Sequence, residues 1–401
     1  MISKTLVINT YILDDTSGSE PGASFHFIQE MSKFFETILV FTSTFTPEAV
    51  LLKLSTSSKN ISFIQAQFPT FFPGNRFGFF YIKHRIFLLR QATQMQKMKF
   101  DPRTHIGVHY SLSNHLLGTA FYKSGIPYLF GPASTSKFPL LYWRIVGNAK
   151  WFELFRAFCI RVLLRFDPVV IKSFKNSRLI LAGDIRTQEL LNLNTGTYHL
   201  SSRTIPHTCV DLAQIKELTE KSEDKRNLMW CGAFSARKDP KLALEIMKSL
   251  RDNYGREDFS LNMYGSGREF NKLVRYKKRY KLKNVEISPW IRKDHLLEKM
   301  ANTKLLLFTS YRESGGAQIL EALACKMNVV STDATGATEW LSGKSLRFLG
   351  PSRGVSREQF ADQMAEEVLK QYDSEHTLID IYQFTNKGQA QQILEELMLF
   401  N

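Results

Sequence analysis

Residues 305–330 read LLLFTSYRESGGAQILEALACKMNVV, which is an apolar run of strand length, a polar loop, a helix-period stretch from Ala317 and a second apolar run. The loop carries Glu313, Ser314, Gly315 and Gly316. Two adjacent glycines let an anion approach the main chain, and the helix that follows would present unpaired amides and the positive end of its dipole. The stretch therefore predicts a phosphate site. On the helix Ile319, Leu320 and Leu323 share the core-facing side, while Gln318 and Glu321 point the other way, so that Glu321 is placed to reach ligand hydroxyls. A carboxylate suits a ribose diol, since it accepts from both hydroxyls. Glu313, earlier in the loop, lies beside the same anion and is placed to orient sugar hydroxyls.

Outward from this stretch the same alternation fills the chain. NLMWCGAF (227–234), FSLNMYGSG (259–267) and NVEIS (284–288) precede it as short β-rich runs separated by helix-length stretches at 239–251, 268–279 and 293–301. Before a polar break near 201–227 the chain shows an earlier copy of the pattern. It opens on TLVINTYIL (5–13), a turn-rich DDTSGSEPG, a helix-period stretch from Ala23 to Phe35 and TILVFTS (37–43), and continues through ISFIQAQF, THIGVHY, IPYLFG and RLILAG. Two successive α/β units are expected, each a mostly parallel sheet with helices on both faces and ligands at the carboxyl ends of its strands.

The 401 residues are 43% apolar, 12% aromatic and 23% charged, which excludes disorder and fibre and suffices for two domains. Cys159, Cys209, Cys231 and Cys325 are too widely spaced for a CxxC pair, a zinc knuckle or a disulfide framework, so a reducing cytoplasm is expected. Lys4 precedes the first apolar run, but Asp14 and Asp15 follow at once with no cleavage site, so the run reads as a core strand. No apolar window reaches the length of a membrane span. A DxD triplet at a strand end is also missing, and no essential metal is expected.

The formal charge is +15, from 53 Lys and Arg against 38 Asp and Glu. Residues 49–178 hold 19 of those bases and only 3 acids, Asp101, Glu153 and Asp167, interleaved with large rings. Arg76, Lys83 and Arg85 alternate with Phe77, Phe79, Phe80 and Tyr81; further on, Arg144, Lys150, Arg156, Arg161 and Arg165 alternate with Trp143, Trp151 and Phe155. That mixture suits an anionic membrane surface, where rings sit at headgroup depth and cations meet acidic lipid. A helical segment that buries its rings and solvates its charges is the alternative. Nucleic acid is not an expected partner, because no nucleic-acid module accompanies the charge.

Two acids separated by seven residues around a glycine loop, after a buried strand, resemble the signature of retaining GT-B glycosyltransferases of family 4. The form ESGGAQILEALACKMNVV is similar to a bacterial subgroup acting in surface-polysaccharide synthesis. Gly18 to Gly22, reading GSEPG, is similar to that subgroup's amino-terminal loop; WCGAFSARKDPKLALEIM (230–247) resembles its donor-phosphate segment, and residues 284–310 occupy the slot before the acid pair. The resemblance runs from about residue 5 to 345.

The resemblance implies two Rossmann-like α/β domains facing a cleft. These are an acceptor domain at 1–203, a nucleotide-sugar domain at 204–375 and a C-terminal helix at 376–401 that packs back on the first. The implied activity is transfer of a sugar from a UDP- or GDP-sugar to a lipid-linked or soluble saccharide acceptor, with retention, by a cytoplasmic enzyme that is peripheral where it meets the membrane. Lys238 matches the family's phosphate-binding lysine and Arg237 offers a second donor, whereas Ala233 stands where the family has arginine and Asp239 where it has glycine. His109, with His105 and His115 as neighbours, matches the histidine that faces the donor sugar. Lys238, Glu313 and His109 are thus the implied catalytic residues, with Glu313 as positioner rather than nucleophile. Gly18, Gly22, Arg237, Gly265, Ile291, Ser314, Gly315, Gly316 and Glu321 complete the implied donor site. Gly131-Pro132 resembles the turn near the acceptor, with Ser134 and Thr135 in place of the usual glycines. A non-catalytic nucleotide-sugar-binding or scaffold protein of this shape, or a nucleotide-sugar epimerase, is the rival reading.

Overall fold

The computed structural model describes residues 2–15, 20–70, 77–110, 115–134, 138–195, 200–206, 209–212, 215, 227–376 and 379–400. The chain divides into two compact units. One comprises Met1–Thr135, Phe158–Cys209 and Gln383–Asn401, the other Ser136–Ala157 and Val210–Tyr382.

In the first unit the strands are β1 (Ile2–Asn9), β2 (Phe35–Ser43), β3 (Ile61–Ala66), β4 (His105–His109), β5 (Tyr128–Ala133), β6 (Leu179–Ala182) and β7 (Leu200–Thr204). They pair in parallel in the order β3-β2-β1-β4-β5-β6-β7. The second unit repeats the plan with β8 (Asn227–Cys231), β9 (Ser260–Tyr264), β10 (Val285–Ser288), β11 (Leu305–Phe308), β12 (Asn328–Thr332) and β13 (Leu346–Leu349), ordered β10-β9-β8-β11-β12-β13. Both sheets are doubly wound. Strand order reverses between β1 and β4 in one and between β8 and β11 in the other, and such reversals open a crevice at the carboxyl ends of the strands.

Central strands carry continuous apolar runs because helices cover both faces, as in LLLF of β11, whose four residues are all buried. Of the four edge strands, β7 and β13 depart from the apolar pattern of the central ones. β7 reads LSSRT inside the polar break and β13 is the short LRFL, and an edge strand needs less apolar surface than a central one.

Residues 136–157 fall within the first domain when boundaries are read from the sequence, yet they pack in the second unit. There Tyr142 is buried, stands edge-on to Phe360 at 5.9 Å and donates its hydroxyl to Asp333 Oδ1 at 2.8 Å. The last helix, Asn386–Met398, contributes Ala390, Ile393 and Leu397 to the core of the first unit beside Phe25 and Ile28. Its Gln389 accepts from the Tyr110 hydroxyl and donates to the Pro206 carbonyl.

Candidate active site

Three segments meet at the strand reversal of the second sheet. The first leaves β8 as Gly232 and runs through a 3-10 turn, Ala236–Lys238, into Asp239 and the helix Pro240–Asp252. The residues that follow β11 pin this turn. Tyr311 N donates to the Arg237 carbonyl at 3.0 Å, Ser310 Oγ to the same oxygen at 3.1 Å, and Thr309 Oγ1 to the carbonyls of Lys238 and Asp239 at 3.0 and 2.9 Å. The Trp230 indole in turn donates to Thr309 Oγ1 at 2.9 Å. Asp239, where the sequence resemblance implies a glycine, adopts the left-handed conformation with φ 43° and ψ 56°, which Asp tolerates better than most residues. Its carboxylate accepts both terminal nitrogens of Arg357, at 2.8 and 2.7 Å, and Arg357 Nε donates to Glu245 at 2.6 Å. Burial disfavours the Arg357 cation, but Asp239 and Glu245 outweigh it and hold its pKa above the ordinary value.

The second segment is the turn after β9. Its main chain lies against that of the first, with Gly232 N donating to Tyr264 O at 3.0 Å and Phe234 N to Ser266 O at 2.8 Å. A Cβ on Gly265 would lie 1.9 Å from the Gly232 carbonyl oxygen, and one on Gly267 would lie 2.4 Å from that of Phe234. Gly265 is therefore required by the approach of two backbones. Gly265→Ala should force the strand ends apart at a cost of about 2–4 kcal/mol, to be read from urea unfolding; a midpoint equal to that of the unchanged protein would contradict the close approach.

The third segment is the loop after β11. Glu313 forms a parallel bridge with Thr335, its amide donating to Ala334 O at 3.1 Å. Its side chain meets Arg237 Nη1 at 2.8 Å and Lys238 Nζ at 3.1 Å, both on Oε2. Burial pushes the Glu313 carboxyl up, but the two cations outweigh it and hold it at about 2. Lys238 is buried, with its stem across Gly232 and its ammonium 5.5 Å from the centre of the Phe308 ring. Ser314 is buried, and Gly316, with φ 64°, opens the helix Ala317–Ala324 without a side-chain cap, leaving first-turn amides for a ligand.

Arg237, Lys238, Glu313 and the Ser314-Gly315-Gly316 turn are thus brought together, with a carboxylate and two cations beside an uncapped helix start. Glu321 differs from its expected open position. It is 4% exposed and paired with Lys293, because this eight-residue helix is covered on nearly every side. Lys293 was not among the expected site residues; the only sequence signal was one base among others in WIRKDH. Ile291, two residues before it, is half-buried, and Trp290 is exposed. Cys231 ends β8 near this pair; burial pushes its thiol up to about 12, and the Glu321 charge adds to the effect.

In the first unit His109 ends β4, at the reversal of that sheet. Its Nδ1 donates to Asn9 Oδ1 at 2.9 Å, Asn9 Nδ2 donates to Gln91 at 2.9 Å, and the ring stacks on Phe130 at 4.8 Å. The Asn9 amide, oriented by Gln91, selects the tautomer that leaves Nε2 as an acceptor. Burial holds the imidazole neutral, with its pKa lowered to about 3. Between its ordinary 6.5 and about 3 the unfolded chain binds a proton that the folded chain does not, so this contribution to stability is complete above the upper value and is lost as pH falls. Urea midpoints of His109→Gln should decline less steeply from pH 6.5 to 4 than those of the unchanged protein; parallel declines would remove His109 as the source. Gly22 is buried inside the helix Glu20–Met31, and Gly18 lies outside the described residues. Near the expected acceptor turn Ser134 Oγ donates to Asp184 at 2.7 Å, while Thr135 also lies outside them. Among the described residues no cluster of His, Cys, Asp and Glu could hold a metal ion, and no helix is long and apolar enough to cross a membrane.

Residues 211–381 match the model of the family described as Glycosyl transferases group 1. Among solved structures the chain is similar to HepE of Anabaena, solved with UDP, at 15% identity and TM-score 0.63, covering 99% of this chain and 100% of that one. It is also similar to the lipopolysaccharide outer core galactosyltransferase WaaB, at 13% identity and TM-score 0.62 over 99% of this chain and 100% of that one. The N-terminal domain of the Candida albicans trehalose-6-phosphate phosphatase matches at 14% identity and TM-score 0.65, over 98% of this chain and 96% of that one. No curated protein sequence matches. The chain therefore has the GT-B fold, and its residues 211–381 are similar to the glycosyl transferases group 1 model.

Proposed function

We propose that this protein is a retaining glycosyltransferase of family 4 that moves a hexosyl group from a nucleotide sugar to a lipid-linked saccharide during surface-polysaccharide synthesis, at the cytoplasmic face of a membrane. The observation that carries the reading is the Arg237, Lys238 and Glu313 cluster beside the uncapped helix start at Gly316. Transfer breaks the bond from sugar C1 to the diphosphate oxygen, and the electron pair leaves with the diphosphate. Charge builds on that group in the transition state, so donors aimed at it lower the barrier. Arg237, Lys238 and the first-turn amides are such donors. Without a donor, Glu313 pairs with both cations and leaves one positive charge unanswered; a bound diphosphate would share them, leaving Glu313 to accept from sugar hydroxyls. A carboxylate held at about 2 is stabilised as an anion and makes a weak nucleophile, which favours positioning over covalent attack. The acceptor hydroxyl then joins C1 from the face the diphosphate leaves, its proton passing to a departing phosphate oxygen. UDP is the preferred nucleotide, since HepE, a neighbour in fold, is solved with UDP and with UDP-glucose.

A panel of UDP- and GDP-sugars screened for thermal stabilisation should yield one donor that raises the melting point. Incubating that donor with a lipid-linked saccharide should then give a product whose new linkage keeps the donor's anomeric configuration by NMR. Stabilisation without transfer to any acceptor would favour the binding-protein reading, and a converted sugar nucleotide without acceptor would favour an epimerase.

A further inference from the structure

The helix Ala149–Phe166 carries an unusual amount of apolar surface on its outside. Trp151, Phe155, Phe158 and Phe166 are 61%, 55%, 64% and 68% exposed, and Val162 is exposed with them. Spaced at i, i+4, i+7, i+11 and i+15, these five side chains form one stripe along a single continuous helix. A soluble surface rarely shows so much contiguous ring area without a use for it. Lys150, Arg161 and Arg165 fall along one border of the stripe by the same helical geometry, and both arginines are exposed. Lys150 Nζ lies 4.9 Å from the Trp143 ring and 5.7 Å from the Trp151 ring, which themselves stand edge to face at 5.5 Å. Just upstream, Leu140 and Leu141 are exposed beside the exposed Arg144.

The helix has one acid, Glu153, and it is turned inward, 1% exposed and gripped by Arg156 and Arg312. The outer face is consequently apolar side chains and cations, with no acid. That combination decides between occupants. A second copy of this chain would bring the same cations against one another with no acid on the face to answer them. Anionic lipid supplies an apolar layer for the rings and negative charge for the border at the same depth.

We infer that Ala149–Phe166 is a lipid-docking helix, lying in the plane of an anionic membrane with Trp151, Phe155, Phe158, Val162 and Phe166 in the headgroup and upper acyl region. The inference rests on the reading of a lipid-borne acceptor for its purpose; its test needs no sugar transfer.

The test is flotation of the full chain with mixed phosphatidylglycerol and phosphatidylcholine vesicles, and with phosphatidylcholine alone, at low and high salt. The unchanged protein should float with the anionic vesicles at low salt, and less at high salt as the cations are screened. Phe155→Glu with Phe158→Glu should weaken binding by at least about tenfold, and Arg161→Glu with Arg165→Glu by about fivefold per cation removed. All four positions are exposed, so the variants should keep the melting temperature and any stabilisation by nucleotide sugar. Trp151→Phe should remove a blue shift in tryptophan emission that accompanies vesicle binding. Failure of the unchanged protein to float at low salt, or flotation of the double phenylalanine variant at the unchanged level, would overturn the inference. So would a dimer in sedimentation equilibrium that Phe155→Glu dissociates, because the stripe would then belong to self-association. Loss of sugar transfer with flotation intact would instead strike the transferase reading and leave the docking helix standing.

Discussion

Lys238→Ala should lower kcat by about 10²–10³-fold, with a much smaller change in KM for the nucleotide sugar. The Lys238 ammonium is buried and 3.1 Å from Glu313 Oε2, so its charge acts where water screens it weakly. On the proposed reading its worth would grow as charge accumulates on a departing diphosphate, which would put the loss mainly in the chemical step. Lys238→Arg should not restore the rate. The stem runs over Gly232, with Cδ 3.0 Å from where a Cβ on that glycine would stand, and a planar guanidinium cannot follow the same path. Nucleotide release under saturating donor is the measurement, and an unchanged kcat in Lys238→Ala would remove this lysine from the chemistry.

Glu153→Ala should destabilise the second unit by about 3–5 kcal/mol. Glu153 is 1% exposed and accepts Arg156 Nε at 2.9 Å and Arg312 Nε at 3.0 Å. Its removal leaves two guanidinium groups facing each other. Burial, and then the Arg156 charge, already hold the Arg312 pKa down at about 10, so that cation depends on its carboxylate. Glu153→Gln keeps an acceptor and loses the charge, and should fall between the two. A drop of roughly 10 °C in melting temperature is expected for Glu153→Ala. A drop of only a degree or two would mean that water reaches both arginines.

The two sheets and the Glu313 loop were legible in the sequence because both rest on local patterns. Short apolar runs such as LLLF and LMWC, bounded by turn residues, read as central strands, and paired glycines before a helix mark a close approach. The partners of the site residues were not legible. Glu321 on its helix pattern faces outward, and its burial follows from Lys293 arriving on a separate segment. Glu153 reads as one acid in a basic stretch; Arg312, 159 residues away, gives it a role. The same long-range packing moves residues 136–157 into the second unit, where Tyr142 and Phe138 find the core of that unit rather than of the one preceding them. The resemblance places Gly265 in the donor site, and the structure adds that the Gly232 carbonyl already occupies the space of its missing side chain.

The Asp239 and Arg357 contact carries a consequence for how this sequence can change over time. The turn bearing Arg237 and Lys238 is latched by a carboxylate to a residue 118 positions later, on a helix whose own start is set by the Ser356 and Gln359 capping box. Replacing Asp239 alone leaves the guanidinium with Glu245 as its carboxylate partner, and replacing Arg357 alone strands a carboxylate on a left-handed residue, so the two sites are expected to be energetically coupled. A change at 239 is therefore felt at 357, while the Glu245 contact still favours arginine at 357 in a chain with glycine at 239.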